Sequence, residues 1–497
     1  MSISAPRAGT RVAAHVTATS PNTAWTLVLA SLGVFMTALD TLVVANSLPA
    51  LRESLHANLG DLEWTVNAYN LAFAVALLTG AALGDRYGRK RMYWIGLLGF
   101  TAASAAAALS PSVGALIAAR GVQGIAAAVV MPMTLTLISE AFPAAKRGAA
   151  IGLWGGITGL AVALGPVVGG AVVGGISWHW IFWLNVPIGL VLIPLSIARL
   201  TESHGPRARL DIVGLLLAGV GFFAITWGLI RASRIGWASA ETVTAFVLGA
   251  LFVAAFLRWE RRTPAPMLPP ALFRSRTFNA ANAVSFFMYA SLFGVLFLMM
   301  QFLQTALGYS PLQAGLRTLP WTGAPMFVAP IAGALADRIG NRPLLLTGLA
   351  LQAAGLGWIA GIAAPGMSYA WLAVALGVAG VGISLCFPTV ANAVVGSVPP
   401  SEMGIASGTN SALREIGGVF GIAILASVFA HSGVYTSPGT FIDHFKNAVW
   451  FGAAFSAAGI FAAAALPARR HREPELPAPT HDADVAIAGV TTHRRTS

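Results

Sequence analysis

Two charged residues stand where ionised side chains are expensive. Asp40 lies in the apolar run 25–47 and Arg120 in the run 113–136. A carboxylate inside hydrocarbon marks a functional position unless it is a structural group hydrogen-bonded to neighbouring helices. At 1.5 Å per residue, Asp40 sits roughly 22 Å from the start of its run, past the midplane of a bilayer about 30 Å thick. Helical spacing places Gly33, Met36 or Thr37, Asp40, Val44 and Ser47 along one face. That face must look into protein, because lipid does not solvate a carboxylate. Burial favours the protonated form of a carboxyl group and a neighbouring arginine favours the ionised form. A group balanced between the two can load and release a proton, and when ionised it would attract a cation. Arg120 is the matching cation; it cannot shed its charge and must be paired or wet. Gln123, Ala127, Met131 and Thr134 share roughly its face. The bland alternative for Arg120 is a strut between helices.

Other chemistry is thin. The single cysteine, Cys386, excludes an internal disulfide and any multi-cysteine metal or iron–sulfur site, and it lies in an apolar stretch. There is no Walker loop, no His-Glu-x-x-His and no Gly-x-Ser-x-Gly nucleophile elbow. The expectation is a protein that is not an enzyme and has no cofactor and no metal.

Composition names the solvent. Hydrophobic residues make up 56% of the chain and charged residues 10%, with a mean hydropathy of +0.74. A soluble domain carries about 25% charged residues, because its surface must be hydrated; this chain must be solvated by lipid. The net charge of +12 sits in short clusters between apolar runs, which suits loops facing anionic lipid and argues against nucleic acid.

Runs of about 20 apolar residues are long enough to span. They occur near 25–47, 63–83, 92–110, 113–136, 148–173, 180–199, 211–230, 241–258, 279–304, 312–336, 343–363, 369–396, 409–431 and 447–466. Fourteen spans put both termini on one side. With that side cytoplasmic, 23 of the 30 Lys and Arg lie in inside segments, four lie outside and three within spans. That bias predicts cytoplasmic termini. Residues 1–24 are polar, with no removable signal peptide expected, and residues 467–497 read as a disordered cytoplasmic tail.

One loop occurs twice. Gly80-Ala-Ala-Leu-Gly-Asp85-Arg86-Tyr-Gly88-Arg89-Lys90-Arg91 follows the second run, and Gly333-Ala-Leu-Ala-Asp337-Arg338-Ile-Gly340-Asn-Arg342 follows the tenth. The aspartates are 252 residues apart, room for eight helix-plus-loop units of about 30 residues. A duplicated six-helix bundle would use six, so spans seven and eight read as an insertion. The predicted organisation is a six-helix bundle over 25–200, two inserted helices over 201–262 and a second bundle over 263–466. Asp85 can cap a neighbouring helix or pair with an arginine, and Gly88 permits the tight reversal. Asp85, Arg86, Gly88, Arg89, Asp337, Arg338 and Gly340 are the candidate latch between the halves; the bland reading is a basic loop that sets topology.

These loops and the span plan resemble the major facilitator superfamily, in its fourteen-helix drug:proton antiporter branch. Leu39-Asp40-Thr41 with Asn46 and Pro49, Arg120-Gly-Val-Gln123-Gly124, Gly165-Pro166-Val-Val-Gly169-Gly170, Trp178-His-Trp180 through Asn185-Val-Pro187, Gly308-Tyr-Ser310-Pro311 through Gly315, and Arg414-Glu415-Ile-Gly417-Gly418 carry the resemblance over nearly the whole chain. Ala81 and Ala161 stand where the family usually has glycine, and His179 where it often has arginine. The resemblance implies an all-α membrane protein with two six-helix bundles plus two inserted helices, 14 in all. It further implies proton coupling through Asp40 and Arg120, and a proton gradient as energy source.

The span-five segment Gly152, Gly165, Pro166, Gly169 and Gly170 is the antiporter motif of that family and implies export. Trp64, Asn67, Tyr69, Gln123, Trp154, Phe287, Gln301, Gln304 and Trp321 are the candidate substrate-binding residues, with Phe286, Met299 and Met300 as softer ones: aromatic faces hold organic cations and Met adapts to varied shapes. Glu415 is the one further spanning acid with reach to a cation, near the cytoplasmic end of span thirteen. The expected activity is proton-coupled export of hydrophobic or cationic amphiphiles by a plasma-membrane protein. The expected partners are a small-molecule substrate, protons and the lipid bilayer, with the chain as a monomer. Export of an endogenous metabolite such as an antibiotic, an amino acid or a lipid is the alternative, and a membrane enzyme or channel a remote one.

Overall fold

The computed structural model describes residues 21–205, 210–399, 402–430, 435 and 437–467. Both terminal tails, with Arg7, Arg11 and the arginines beyond residue 468, lie outside the described residues, as do Arg207 and Arg209. Among the described residues all regular structure is helical. The order is α1 (Pro21–Ser54), α2 (Leu59–Tyr87), α3 (Arg89–Ala108), α4 (Val113–Ala141), α5 (Ala144–Gly175), α6 (Trp180–Trp183), α7 (Asn185–Arg199), α8 (Ile212–Ile235), α9 (Ala240–Glu260), α10 (Arg276–Gln301), α11 (Pro311–Arg317), α12 (Leu319–Thr322), α13 (Ala324–Ile339), α14 (Asn341–Ile362), α15 (Tyr369–Val395), α16 (Met403–Phe429) and α17 (Pro438–Ala464).

Among the described residues, thirteen helical stretches are long and apolar enough to cross a membrane. The sequence predicted fourteen. The difference is α3, which is 20 residues long but opens on Arg89-Lys90-Arg91. Those three cations lower its hydropathy without shortening it. Most helices run past their apolar stretches, because backbone hydrogen bonds continue into the interface. Their starts are fixed by side chains that accept an orphan backbone N–H: Asn58, Ser112, Asp211, Ser239, Ser275, Ser310, Ser368 and Ser437. The run 312–336 is not one helix. Pro320 and Pro325 lack the amide donors that would continue it, and it breaks at Thr318 and Gly323.

Helices α1 to α7 pack on one another, as do α10 to α17, and two seams join these groups: α2 against α16, and α5 against α11. The seams are close. A Cβ on Gly170 would meet the Pro311 carbonyl, and one on Gly315 would meet the Pro166 carbonyl. Small residues let backbones approach this way, where lipid gives helices no hydrophobic reason to associate. Helix α8 touches both α2 and α16, with Trp64 packed on Phe223 and Trp227 at 5.2 and 5.9 Å. Helix α9 lies on α8 and exposes Val243, Val247, Leu251 and Leu257, the face a lipid-solvated helix presents.

Alternate crossings put the basic loops at 88, 143–147, 261–275 and 340 on one side, called here the basic face; the other is the far face. The two repeated loops share a backbone feature: Gly88 has φ +104° and Gly340 φ +86°. At Gly88 a Cβ would also stand 2.7 Å from the Glu202 carboxylate, which accepts from the Lys90 and Arg91 amides at 3.0 and 3.1 Å and so caps α3. Gly88→Ala is therefore expected to cost about 1–3 kcal/mol of strain and lost capping. A lower thermal unfolding midpoint of the purified variant is the reading; an unchanged midpoint would show that the loop relaxes freely.

Candidate functional site

Asp40 and Arg120 meet. Arg120 Nη1 lies 2.5 Å from Asp40 Oδ2, with both side chains about 1% exposed. The other carboxylate oxygen accepts from Gln123 Nε2 at 2.9 Å and from Asn185 Nδ2 at 2.8 Å. Both amides also donate to Ser104 Oγ, at 2.7 and 3.1 Å. Arg120 Nη1 bonds Gln123 Oε1 at 2.7 Å, and Nε bonds the Thr65 carbonyl at 3.2 Å. The guanidinium lies over the Tyr69 ring, 4.2 Å from its centre. Helices α1, α2, α3, α4 and α7 thus each place one or more groups in the cluster. Arg120 Nη2 is buried without a hydrogen-bond partner.

A cavity of about 120 Å³ lies between the two helix groups. Thr37 and Thr41 of α1, Tyr69 and Phe73 of α2, and Thr158 of α5 form one wall. Tyr289 and Phe293 of α10 with Arg414 and Glu415 of α16 form the other. Asp40 is not on the wall; it stands one layer behind it. Glu415, expected near a helix end, is the thirteenth residue of a 27-residue helix. Helix α16 starts at Met403, well before its apolar run, and this moves Glu415 to the middle.

The cavity is closed toward the far face by a hydrogen-bonded clasp. Asn46 Nδ2 donates to the Pro166 carbonyl at 2.6 Å and to the Pro311 carbonyl at 3.1 Å. Its Oδ1 accepts from Gln304 Nε2 at 2.6 Å. Gln304 is presented by a π turn, Phe302–Ala306, at the end of α10. Beside it, Arg52 lies 3.5 Å over the Tyr435 ring, and the Tyr435 hydroxyl donates to Gln301 Oε1 at 2.7 Å. Nearer the basic face the glycine positions of α5 are open: nothing lies within 4 Å of a Cβ built at Gly148, Gly152, Gly155, Gly156 or Gly159, while Ala150 and Trp154 pack on α1 and α4.

A family model described as the Major Facilitator Superfamily matches residues 30–259 and 281–496. The chain belongs to that superfamily. It is 39% identical over 407 residues to the multidrug resistance protein Stp of Mycobacterium tuberculosis, covering 82% of this chain and 75% of that one. To the tetracenomycin C resistance and export protein of Streptomyces glaucescens it is 34% identical, over 82% and 76%. To the multidrug efflux pump LfrA of Mycolicibacterium smegmatis it is 35% identical, over 83% and 82%. An auto-inhibited POT family peptide transporter superposes with TM-score 0.68 over 92% of this chain and 98% of that one, at 15% identity. The partially occluded inward-open xylose transporter XylE from E. coli gives 0.59 over 89% and 98%, also at 15%. These structures speak for the fold alone, and the fold is that of a major facilitator.

In this facilitator the nine candidate substrate residues scatter. Tyr69 alone lines the cavity. Gln123 belongs to the Asp40 cluster, and Gln304 to the clasp, with Gln301 held by Tyr435. Trp64 packs on α8, Phe287 on Phe455, and Trp154 bonds Thr134 Oγ1 at 3.1 Å. Trp321 and Asn67 are buried away from the cavity, with no hydrogen-bond partner for Trp321 Nε1 or for the Asn67 amide. Phe286, Met299 and Met300 likewise do not line it.

The first facilitator loop keeps its charges within its own helix group. Asp85 accepts from Arg89 Nε and Nη2 at 2.9 and 2.7 Å, and Arg89 also pairs with Glu140. Asp85 pairs with an arginine and caps no helix; Glu202 does the capping. Arg86 is exposed beside Tyr87. In the second loop Arg338 is exposed, and the side chain of Asp337 lies outside the described residues. Of the span-five segment, Gly165 packs on Leu42 and Gly169 on Val43, Pro166 and Gly170 join the clasp, and Gly152 faces open space. His179 stacks on Trp178 at 3.7 Å between ring centres, and burial lowers its pKa.

Sequence reasoning missed Ser104, the cavity role of Tyr289 and Arg414, and the partnership of Asn46 with Gln304. Ser104 carried no signal, being one small residue in an alanine-rich run. Asn46 did carry one: an amide six residues beyond Asp40 in an apolar run needs partners.

Two outcomes follow from these contacts. Asp40→Asn strands a guanidinium that cannot neutralise itself, whereas Arg120→Gln strands a carboxylate that can take a proton. Asp40→Asn is expected to lower the thermal midpoint more than Arg120→Gln, and the double variant less than their sum. Additive losses would mean the two side chains do not depend on each other. Asn46→Ala is expected to raise, several-fold, the labelling of Leu42→Cys by an impermeant maleimide added on the far face, in a Cys386→Ser background. An unchanged rate would show that the clasp does not hold that face closed.

Proposed function

We propose that this protein exports hydrophobic or singly charged amphiphilic drugs across the cytoplasmic membrane in exchange for protons, with both termini in the cytoplasm and the chain working as a monomer. The observation that carries this reading is the buried Asp40–Arg120 cluster directly behind the wall of the cavity between the halves. A carboxylate is the only group in the cluster whose charge can change, since arginine stays protonated. Relatives named as multidrug resistance, efflux and antibiotic export proteins support the substrate class.

The proposed cycle alternates access around the cavity. With the clasp closed and the glycine positions of α5 open toward the basic face, the cavity receives substrate from the cytoplasm. Halves 25–200 and 263–466 then rock, the clasp parts, and substrate leaves. Proton loading of Asp40 weakens its hold on Arg120, Gln123 and Asn185 and resets the halves. The two facilitator loops act as the cytoplasmic latch in the alternate state. The relatives include exporters named for individual antibiotics, so release of a self-made toxic compound is the same chemistry in another setting.

Purified protein in vesicles should move an aromatic amphiphile when a pH gradient is imposed, and Asp40→Asn should abolish driven movement while substrate binding persists. Gradient-independent movement, or full transport by the variant, would remove proton exchange through Asp40.

A further inference from the structure

The cavity wall carries charge of both signs, and the two charges are held only by one long contact with each other. Arg414 and Glu415 are consecutive on α16. Adjacent helical residues point about 100° apart and do not face each other. Their contact is correspondingly long, with Arg414 Nη2 3.5 Å from Glu415 Oε1. Arg414 Nε is buried with no hydrogen-bond partner, and the guanidinium lies 4.7 Å over the Tyr289 ring. The contrast with Asp40 is sharp: its pair is 2.5 Å long and both its oxygens are bonded. The hydroxyls on the opposite wall are also occupied. Thr37, Thr41 and Thr158 each donate to a carbonyl of their own helix. What remains facing the cavity is aromatic surface from Tyr69, Phe73, Tyr289 and Phe293, apolar surface from Val34, Leu42, Met131 and Val162, and one loosely paired cation and anion.

We infer that Arg414 and Glu415 form the polar subsite for substrate, and that its ligand is an aromatic amphiphile that is zwitterionic or carries a single charge. The ligand's carboxylate or phenolate takes Arg414, which can offer a planar fork of donors. Its ammonium or delocalised cation takes Glu415, and its rings lie on the aromatic walls. Asp40 is left to the proton, since a substrate cation would have to break three bonds to reach it. The inference rests on the proposed transport path through this cavity. A drug-sized site needs about 300–1,000 Å³, so loading must widen the cavity, which the seam between halves permits.

The test measures equilibrium binding to wild type, Arg414→Gln and Glu415→Gln in nanodiscs, by fluorescence, and then pH-driven transport in vesicles. The probes are rhodamine B, a zwitterion with a free carboxylate, and rhodamine 6G, whose carboxyl group is esterified. Arg414→Gln should weaken rhodamine B about tenfold or more and leave rhodamine 6G within about twofold. Glu415→Gln should weaken both by about tenfold. Equal effects of Arg414→Gln on the two probes, no effect of either substitution, or no binding of either probe by wild type would overturn the subsite. Unchanged binding by Glu415→Gln with loss of all driven transport would overturn it too and make Glu415 a proton carrier. Binding with the expected pattern but no response to a pH gradient would overturn the proton-exchange reading and leave the subsite standing.

Discussion

The buried pair of Asp40 and Arg120 is the constraint around which the first helix group is arranged. Taking two ions out of water costs several kcal/mol each, and their attraction offsets this only when the remaining hydrogen-bonding capacity is met. Here Gln123 and Asn185 fill the second carboxylate oxygen, Ser104 occupies both amides, and Thr65 takes the guanidinium Nε, which leaves only Arg120 Nη2 of the pair unbonded. Each partner comes from a different helix or turn, so the register of α1, α2, α3, α4 and α7 is tied to one charge pair. Substituting either ion perturbs all of them. Such a cluster makes a poor static ornament, because apolar side chains would hold five helices together at least as well. A cluster of this kind has a use where its charge state changes and the helices respond.

Helix α1 joins that cluster to the far-face clasp. Asp40 and Asn46 are six residues apart, about 9 Å along one helix axis. The clasp has its own symmetry. Pro166-x-x-x-Gly170 and Pro311-x-x-x-Gly315 pack reciprocally, each glycine seated on the other segment's proline carbonyl. Asn46 spans both carbonyls, and this uses its two donor hydrogens. A ligand or proton shifts such an equilibrium only through contacts that differ between states. A rigid helix with a buried ion pair at one point and an interhalf hydrogen bond at the next ties the two within two turns.

Much of this was legible before any coordinates. Apolar runs gave the spans, the clustering of Arg and Lys gave two distinct faces, and the repeated Asp-Arg-x-Gly gave the duplication that Gly88 and Gly340 share in backbone form. Asp40 and Arg120 were legible as buried partners because lipid solvates neither charge, whether the pair is structural or functional. The cavity wall was not. In a soluble helix the apolar face points inward, but in lipid both faces are apolar, so Trp64, Phe287 and Trp154 look alike in sequence whether they meet substrate, a neighbouring helix or lipid. Glu415 was placed too near an end for a related reason. The start of α16 at Met403 is rich in Gly, Ser, Thr and Asn, which extends the helix without extending the apolar run. Proline told less than it promised: Pro132 and Pro388 sit within continuous helices, while Pro320 and Pro325 break theirs.

What the duplication kept and what it let go divide along mechanical and chemical lines. The positive-φ glycine of the loops occurs in both halves. It sets the tight reversal between two helices; the two Pro-x-x-x-Gly segments of the clasp belong to spans five and ten and are not repeat counterparts. The interiors differ. The first half holds a locked ion pair with amide partners, hidden from the cavity. The second has neutral Asn282, Ser285 and Asn410 bonded to one another, and a loose Arg414–Glu415 pair facing the cavity. A carrier that exchanges a proton for a varied organic molecule needs one site that is tight and titratable and another that is loose and adaptable. Placing them in opposite halves lets the same rocking motion expose both while keeping a large substrate from displacing the proton's partners.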